Sequence, residues 1–272
     1  MANLQIDSDD LAKRIRIQAL KMVHRARASH IGSALSCADI VAVLYGQIMA
    51  VKSTHPNWSE RDRFLLSKGH ACVAVYAALA ECGFFSEKEL LNYGQDHSMM
   101  MNHISHKVPG VEFSTGSLGH GLPFGVGKAL VAKRSGLTWR TFVLLSDGEL
   151  GEGSNWEALM FAAHHRLDNL IAIVDYNKLQ SITTVEETLK VEPLADKVRA
   201  FGWAVHELNG HDHLALRAAL EHETLEIGKP TFIIAHTTKG KGVSFMENAV
   251  LWHYKSPNDA ELSQALAEIG HA

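Results

Sequence analysis

The 272-residue chain is 46% hydrophobic and carries a formal net charge of −4, which suits one large α/β domain with an ordinary packed core and gives no electrostatic reason to expect nucleic acid or an anionic membrane as a partner. No apolar run approaches the roughly 20 residues needed to span a bilayer, and the polar, acidic start, MANLQIDSDD, lacks the basic and apolar regions of a secretory leader. Cys37, Cys72 and Cys82 form no CxxC pair and read as buried free thiols of a reducing, cytoplasmic compartment.

In chain order, Ser8 or Asp9 is expected to cap a helix reaching about Arg27, with Leu11, Ile15, Leu20 and Val23 near helical spacing. Residues 38–51 read as a buried helix, 63–67 as a short strand, 71–82 as a small-residue-rich helix ended by Gly83, and 87–93 as a short helix. From 92 to 115 the pattern dissolves into a His- and Met-rich loop. A helix follows over 121–135. Then strands (141–146, 170–175, 203–208, 231–236) alternate with helices (155–165, 194–201, 212–226). That alternation predicts an α/β fold, a doubly wound parallel sheet with helices on both faces. No repeat or linker divides the chain, so residues 1–272 are expected to form a single domain, with 255–272 as a tail that docks on a neighbour.

The most informative stretch is Ser146-Asp147-Gly148-Glu149, followed thirty positions after the aspartate by Asn177. One apolar strand delivers an Asp-Gly turn at its carboxyl end and the next delivers an Asn. In an open parallel sheet, ligands bind at the carboxyl ends of the strands. A carboxylate and an amide oxygen there suit a hard cation such as Mg2+, with Ca2+ or Mn2+ as substitutes, leaving its other positions for phosphate and water. Gly148 lets backbone approach a phosphate closely. Gly116-Ser117-Leu118-Gly119 precedes an apolar helix, a place where backbone N–H groups can meet a phosphate. The run Gly125-Val126-Gly127-Lys128 is not a P-loop, because Leu122 stands where its first glycine belongs and Ala129 where Ser or Thr belongs. No GxGxxG follows a strand, so a nicotinamide site is not indicated.

The Asp-Gly…Asn arrangement resembles the thiamine-diphosphate motif. HRARASHIGSALS (24–36), RDRFLLSKGH (61–70), PGVEFSTGSLGHG (109–121) and KGKGVSFMENAVLWHYKSP (239–257) resemble transketolase in order and spacing. Together the five segments cover the chain from about His24 to Pro257. The resemblance implies the diphosphate-binding domain of the thiamine-diphosphate fold. It makes Asp147, Asn177 and the backbone oxygen of Leu179 metal ligands, and His70, Gly116, Leu118, Gly148, Lys239 and His253 cofactor contacts. His30, His70, His103 and His253 become the catalytic histidines around the reaction centre, where imidazoles bind hydroxyls and shuttle protons. Ser33, with His30, His103 and His253, becomes a substrate contact, and Lys68 a residue serving either role. Two departures stand out. Ser146 replaces the usual Gly, and His120 replaces a common Gln.

Glu152 and Glu157 lie at a helix start, where negative charge suits the dipole. The resemblance places both at a subunit contact. It also implies transfer of a two-carbon ketol unit from a ketose or ketose phosphate to an aldose phosphate, and dependence on a glutamate of a pyrimidine-binding domain. In the family that domain follows this one, so the expected partner is a second chain, in an assembly of two copies of each. Two alternatives stay open: a subunit of another thiamine-diphosphate enzyme, similar to deoxyxylulose-phosphate synthase, and a non-catalytic binding homologue. His164, His165, His211 and His213 read as surface or capping residues.

Overall fold

A computed structural model describes residues 4–221 and 225–271. Five strands, β1 (Arg63–Leu66), β2 (Thr141–Ser146), β3 (Leu170–Tyr176), β4 (Ala204–Asn209) and β5 (Thr231–His236), form one parallel sheet in the order β1-β2-β3-β5-β4. The register sets Ser146 beside Asp175 and Asp175 beside Ala235, so the carboxyl ends of β2, β3 and β5 open onto one edge. β2 and β3 are buried along their whole length, which is why they read as continuous apolar runs rather than alternating ones. β4 lies at the sheet edge with an intermittently exposed pattern.

The helices are α1 (Ser8–Ala26), α2 (Ile31–Ser36), α3 (Ala38–Val43), α4 (Cys72–Glu81), α5 (Gly121–Arg134), α6 (Gly153–His164), α7 (Val185–Thr188), α8 (Leu194–Ala200), α9 (His213–Leu220) and α10 (Asp259–His271). Alternate strand residues feed two cores, because successive side chains of a strand point to opposite faces. Phe142, Leu144, Ile171, Ile173 and Ile233 pack with α1, α3, α4, α9 and α10. Val143, Leu145, Ala172, Val174, Phe232 and Ile234 pack with α5, α6 and α8. The doubly wound architecture expected from the sequence is the one observed. α10 lies on α1 of the same chain, burying Ala265 and Ile269.

Some boundaries differ from the sequence reading. The cap of α1 is Asp7, whose Oδ1 accepts from the Asp10 N–H at 2.9 Å; Ser8 and Asp9 already lie inside the first turn. Residues 38–51 are not one regular helix: α3 passes at Leu44 into a π turn that ends at Ile48. The helix expected over 212–226 closes at Leu220, and 222–224 fall outside the described residues. Cys37, Cys72 and Cys82 are buried free thiols, each pushed by burial up to about 12.

Candidate active site

Asp147 is the first residue beyond β2 and Asn177 the first beyond β3. Asp147 is buried, and its carboxylate accepts only backbone donors, Gly148 N–H at 2.7 Å and Lys178 N–H at 2.5 Å. Burial, then the nearby Asp175 carboxylate, pushes Asp147 up to about 6 despite those donors. A carboxylate raised by desolvation and like charge is one that a cation relieves. Asn177 Nδ2 lies 3.4 Å from both Ser36 Oγ and Asp175 Oδ2, while its Oδ1 accepts the Leu179 N–H at 3.1 Å.

Beneath these residues is a fully buried ion pair. The Lys68 ammonium contacts Asp175 and donates to Ser33 O at 3.2 Å. Ser36 Oγ donates to the same carboxylate at 2.5 Å, and Thr237 Oγ1 donates to its other oxygen. Burial alone would raise Asp175, but Lys68 against it holds it below the usual carboxylate range. Burial would likewise lower Lys68, and Asp175 reverses this. Lys68 is therefore committed to Asp175 and Ser33, holding the floor of the site.

The four histidines converge from four separate loops. Ring centroids are 5.1 Å apart for His30 and His70, 5.0 Å for His30 and His253, 5.7 Å for His70 and His253, and 5.9 Å for His30 and His103. His30 has a left-handed backbone (φ 74°), and its N–H donates to His253 O at 2.7 Å, tying the loop before α2 to the turn Val250–His253. Lys239 Nζ approaches His253 Nδ1 at 3.0 Å. An ammonium can only donate, so Nδ1 accepts and the proton of neutral His253 sits on Nε2. Lys239 also donates to the carbonyls of Leu179 (3.1 Å) and Gln180 (2.9 Å), filling one lone pair of the Leu179 oxygen. Burial, then the Lys68 charge, lowers Lys239 to about 8. Burial with the neighbouring His103, Lys239 and Lys68 lowers His30 to about 4. Burial with Lys239, His30 and Lys68 lowers His253 to about 3. His70 is driven down by burial, then by Lys68 and the other rings, and His103, at the exposed rim, is lowered by burial alone.

A cavity of about 220 Å3 joins the two halves, walled by Asp147, Gly148, Asn177 and Leu179 together with Ser33, His70, Leu118 and His253. A larger one, about 500 Å3, also borders the Asn177–Leu179 turn but includes none of the four histidines. A Cβ built on Gly116 meets nothing within 4 Å, so this exposed glycine faces open space. Among the described residues no group of three or more His, Cys, Asp or Glu could hold a metal. The donors at the strand ends are instead hard oxygens of carboxylate, amide and carbonyl, the set that Mg2+ takes. A buried carboxylate without a cationic partner, oxygens that each keep a further lone pair, and an adjoining cavity fit a metal-bound diphosphate. Glu152 and Glu157 are exposed, away from that cavity, on the outer side of the Asp147 loop and α6.

A family model described as "Transketolase, thiamine diphosphate binding domain" matches residues 7–272. The chain belongs to the transketolase family. It is 41% identical over 266 residues to an apulose-4-phosphate transketolase subunit of Phocaeicola vulgatus, covering 98% of this chain and 93% of that one. It is 38% identical over 270 residues to the 6-deoxy-6-sulfo-D-fructose transketolase subunit SqwG of a Clostridium species, covering 99% and 98%. The solved transketolase from Leishmania mexicana superposes with a TM-score of 0.90 at 32% identity, over 98% of this chain and 42% of that one. The Campylobacter jejuni transketolase gives 0.91 at 32%, over 97% and 42%. The chain thus spans about two fifths of these longer transketolases.

Within this transketolase fold, several site residues escape a reading by motif. Asp175 carried a signal, a charge closing an otherwise apolar strand, but its partners Lys68 and Ser36 are 107 and 139 positions away. Glu149 is fully buried and accepts from Ser67 Oγ, Gly119 N–H (2.8 Å) and Ser146 N–H (3.3 Å), fastening the glycine turn at 116–119 to the Asp147 loop. His211 and His213 are neither surface nor capping residues. Both bind the buried Asp39, at 2.6 and 3.1 Å, and Asp212 does the capping of α9.

Proposed function

We propose that this chain is the diphosphate-binding subunit of a two-chain, thiamine-diphosphate-dependent transketolase that moves a two-carbon ketol unit from a ketose or ketose phosphate to an aldose phosphate. The observation that carries this reading is the single cavity in which Asp147 and Asn177, at neighbouring strand ends, meet His70 and His253. Asp147, Asn177 and the Leu179 carbonyl would hold Mg2+ and through it the diphosphate. When bound, thiamine diphosphate supplies the nucleophilic carbon that takes up the two-carbon unit. The chain's own part is to bind and orient. His253, with its proton on Nε2, offers a hydrogen-bond donor to the cavity. His30, His70 and His103, uncharged at pH 7, both donate and accept, so they hold sugar hydroxyls and move protons without adding fixed charge. Ser33 lies beside them, and Gly116 and Leu118 leave room for the cofactor's rings.

The partner is a second chain bearing the pyrimidine-binding domain. This is supported by the relatives that are themselves named as transketolase subunits and match this chain over nearly their whole length. The unpaired thiols favour a cytoplasmic setting. The sugars in the relatives' names, apulose-4-phosphate and 6-deoxy-6-sulfo-D-fructose, differ from one another. A screen of both, with common ketose phosphates and with pyruvate, assigns the donor and separates transketolase from a deoxyxylulose-phosphate-synthase-like activity.

The test is native mass spectrometry of the tagged chain purified from its own cells with Mg2+, wild type beside Asp147→Ala. The expected result is a complex containing a second chain and thiamine diphosphate, with the cofactor lost but the second chain kept in the variant. A wild-type homo-oligomer without the cofactor, or a variant that keeps Mg2+-dependent cofactor, overturns the assignment.

A further inference from the structure

We propose that His211 is a positioning residue that locks the segment 237–239 in the place from which Thr237 and Lys239 grip the strand-end loops. The inference rests on the reading of those loops as the diphosphate site. His211 lies in the turn between β4 and α9, outside the cavity and the histidine cluster, yet its side chain is only 14% exposed. Its Nε2 accepts the Thr238 N–H at 2.8 Å. A backbone amide can only donate, so the ring proton lies on Nδ1 and is given to Asp39 Oδ2 at 2.6 Å. Asp39 is fixed independently by Arg16, at 2.9 and 2.5 Å, and by His213 Nε2 at 3.1 Å. Helices α1 and α3 thereby anchor the ring that anchors Thr238.

The neighbouring residues fit the same contact. Gly210 N–H donates to His236 O at 2.8 Å, and a Cβ on Gly210 would come within 2.5 Å of Thr237 Cγ2. Only a glycine lets the two turns close so that His211 reaches Thr238. Beyond β5 the ladder ends with Thr237 N–H to Tyr176 O at 3.3 Å, and the next donor goes to His211. The residues flanking Thr238 then do the site's holding. Thr237 Oγ1 donates to Asp175, which orients Asn177, and Lys239 donates to Leu179 O, Gln180 O and His253 Nδ1. His211 touches none of the reacting groups and acts through this segment.

Two variants separate positioning from stability. Gln at 211 places its amide near Nε2 and can accept from Thr238. Asn places it near Nδ1, can donate to Asp39, and does not reach Thr238. The full-length tagged chain is purified with its partner and freed of cofactor. Three readouts follow: amide hydrogen exchange at Thr238, the Kd for thiamine diphosphate with Mg2+ by calorimetry, and the thermal midpoint. His211→Asn is expected to speed exchange at Thr238 and weaken Kd roughly tenfold, about one hydrogen bond. His211→Gln is expected to stay within about twofold of wild type on both, although it is no more heat-stable than His211→Asn. Wild-type exchange at Thr238 in His211→Asn, or affinities that merely follow the thermal midpoints, overturns the proposal. If the wild-type complex binds no thiamine diphosphate, the parent reading falls. Exchange at Thr238 still decides this one: selective loss in His211→Asn upholds it, and equal exchange in both variants overturns it.

Discussion

His30, lowered to about 4, and His253, lowered to about 3, are held neutral by burial first and then by the neighbouring imidazoles and the Lys239 and Lys68 charges. In the unfolded chain both return to the ordinary 6.5. Between 6.5 and the folded values the unfolded chain binds protons that the folded one refuses, so their contribution to stability is complete above about 6.5 and is lost as the pH falls towards 4. The thermal midpoint should therefore drop on acidification through that window, and His30→Gln should drop less steeply than wild type. Parallel curves would show that His30 is not held neutral. Asp147 and Asn177 stood out by their places at strand ends and the four histidines only through the resemblance of their segments to a known family, and the fold brings the histidine rings within 6 Å of one another as a chain of neighbours. Asp175 and His211 did not stand out, and Lys68 was named without its partner. Their meaning lies in partners 107 positions away for the ion pair and 172 for the His211–Asp39 contact, and no local spacing encodes such a pairing.

At the scale of elements, continuous apolar runs marked β2, β3 and β5, and alternation with helices gave the parallel sheet. The π turn after α3 and the short α2 were hidden, since both lie in almost wholly buried stretches where the helical period has little exposed side to contrast with. α5 shows a further feature that periodicity does not reveal: two glycines of one helix with opposite surroundings. A Cβ on Gly125 would lie 2.5 Å from Val143 Cγ2 of the central sheet, whereas one on Gly127, which is exposed, meets nothing within 4 Å. Helix propensity favours alanine over glycine by about 1 kcal/mol at either position, but overpacking a buried contact costs about 1–3 kcal/mol. Gly127→Ala should stabilise the chain by about 0.5–1 kcal/mol. Gly125→Ala should destabilise it, because the steric term exceeds the propensity gain. Urea unfolding midpoints measure both. Equal shifts would mean that α5 can lift from β2 without cost.

For the whole molecule, the surface beside the site carries apolar side chains that the fold itself does not cover. α6 begins at Gly153, directly after the Asp147 loop, and turns Ala158, Leu159 and Ala162 into the sheet. Met160 and Phe161 are 52% and 44% exposed, and on a helix advancing about 100° per residue they point away from that core. Glu152 and Glu157 are exposed near them, and Ile182 (84%) and Leu189 (57%) are bare in the segment after Asn177. Exposed apolar side chains flanked by charge are the makings of an interface. Because α6 is continuous with the loop that bears Asp147, covering it would also steady that carboxylate, the proposed metal ligand. Met160→Glu with Phe161→Glu places two charges where an assembled interface would bury them, at several kcal/mol, while costing the isolated subunit little, since both positions face water there. Sedimentation velocity should show loss of the multi-chain complex at concentrations where wild type assembles. The thermal midpoint of the separated chain should stay within a few degrees, and cofactor affinity should fall together with assembly. A variant that assembles as wild type does would remove α6 from the interface and leave Glu152 and Glu157 as helix-start charges only.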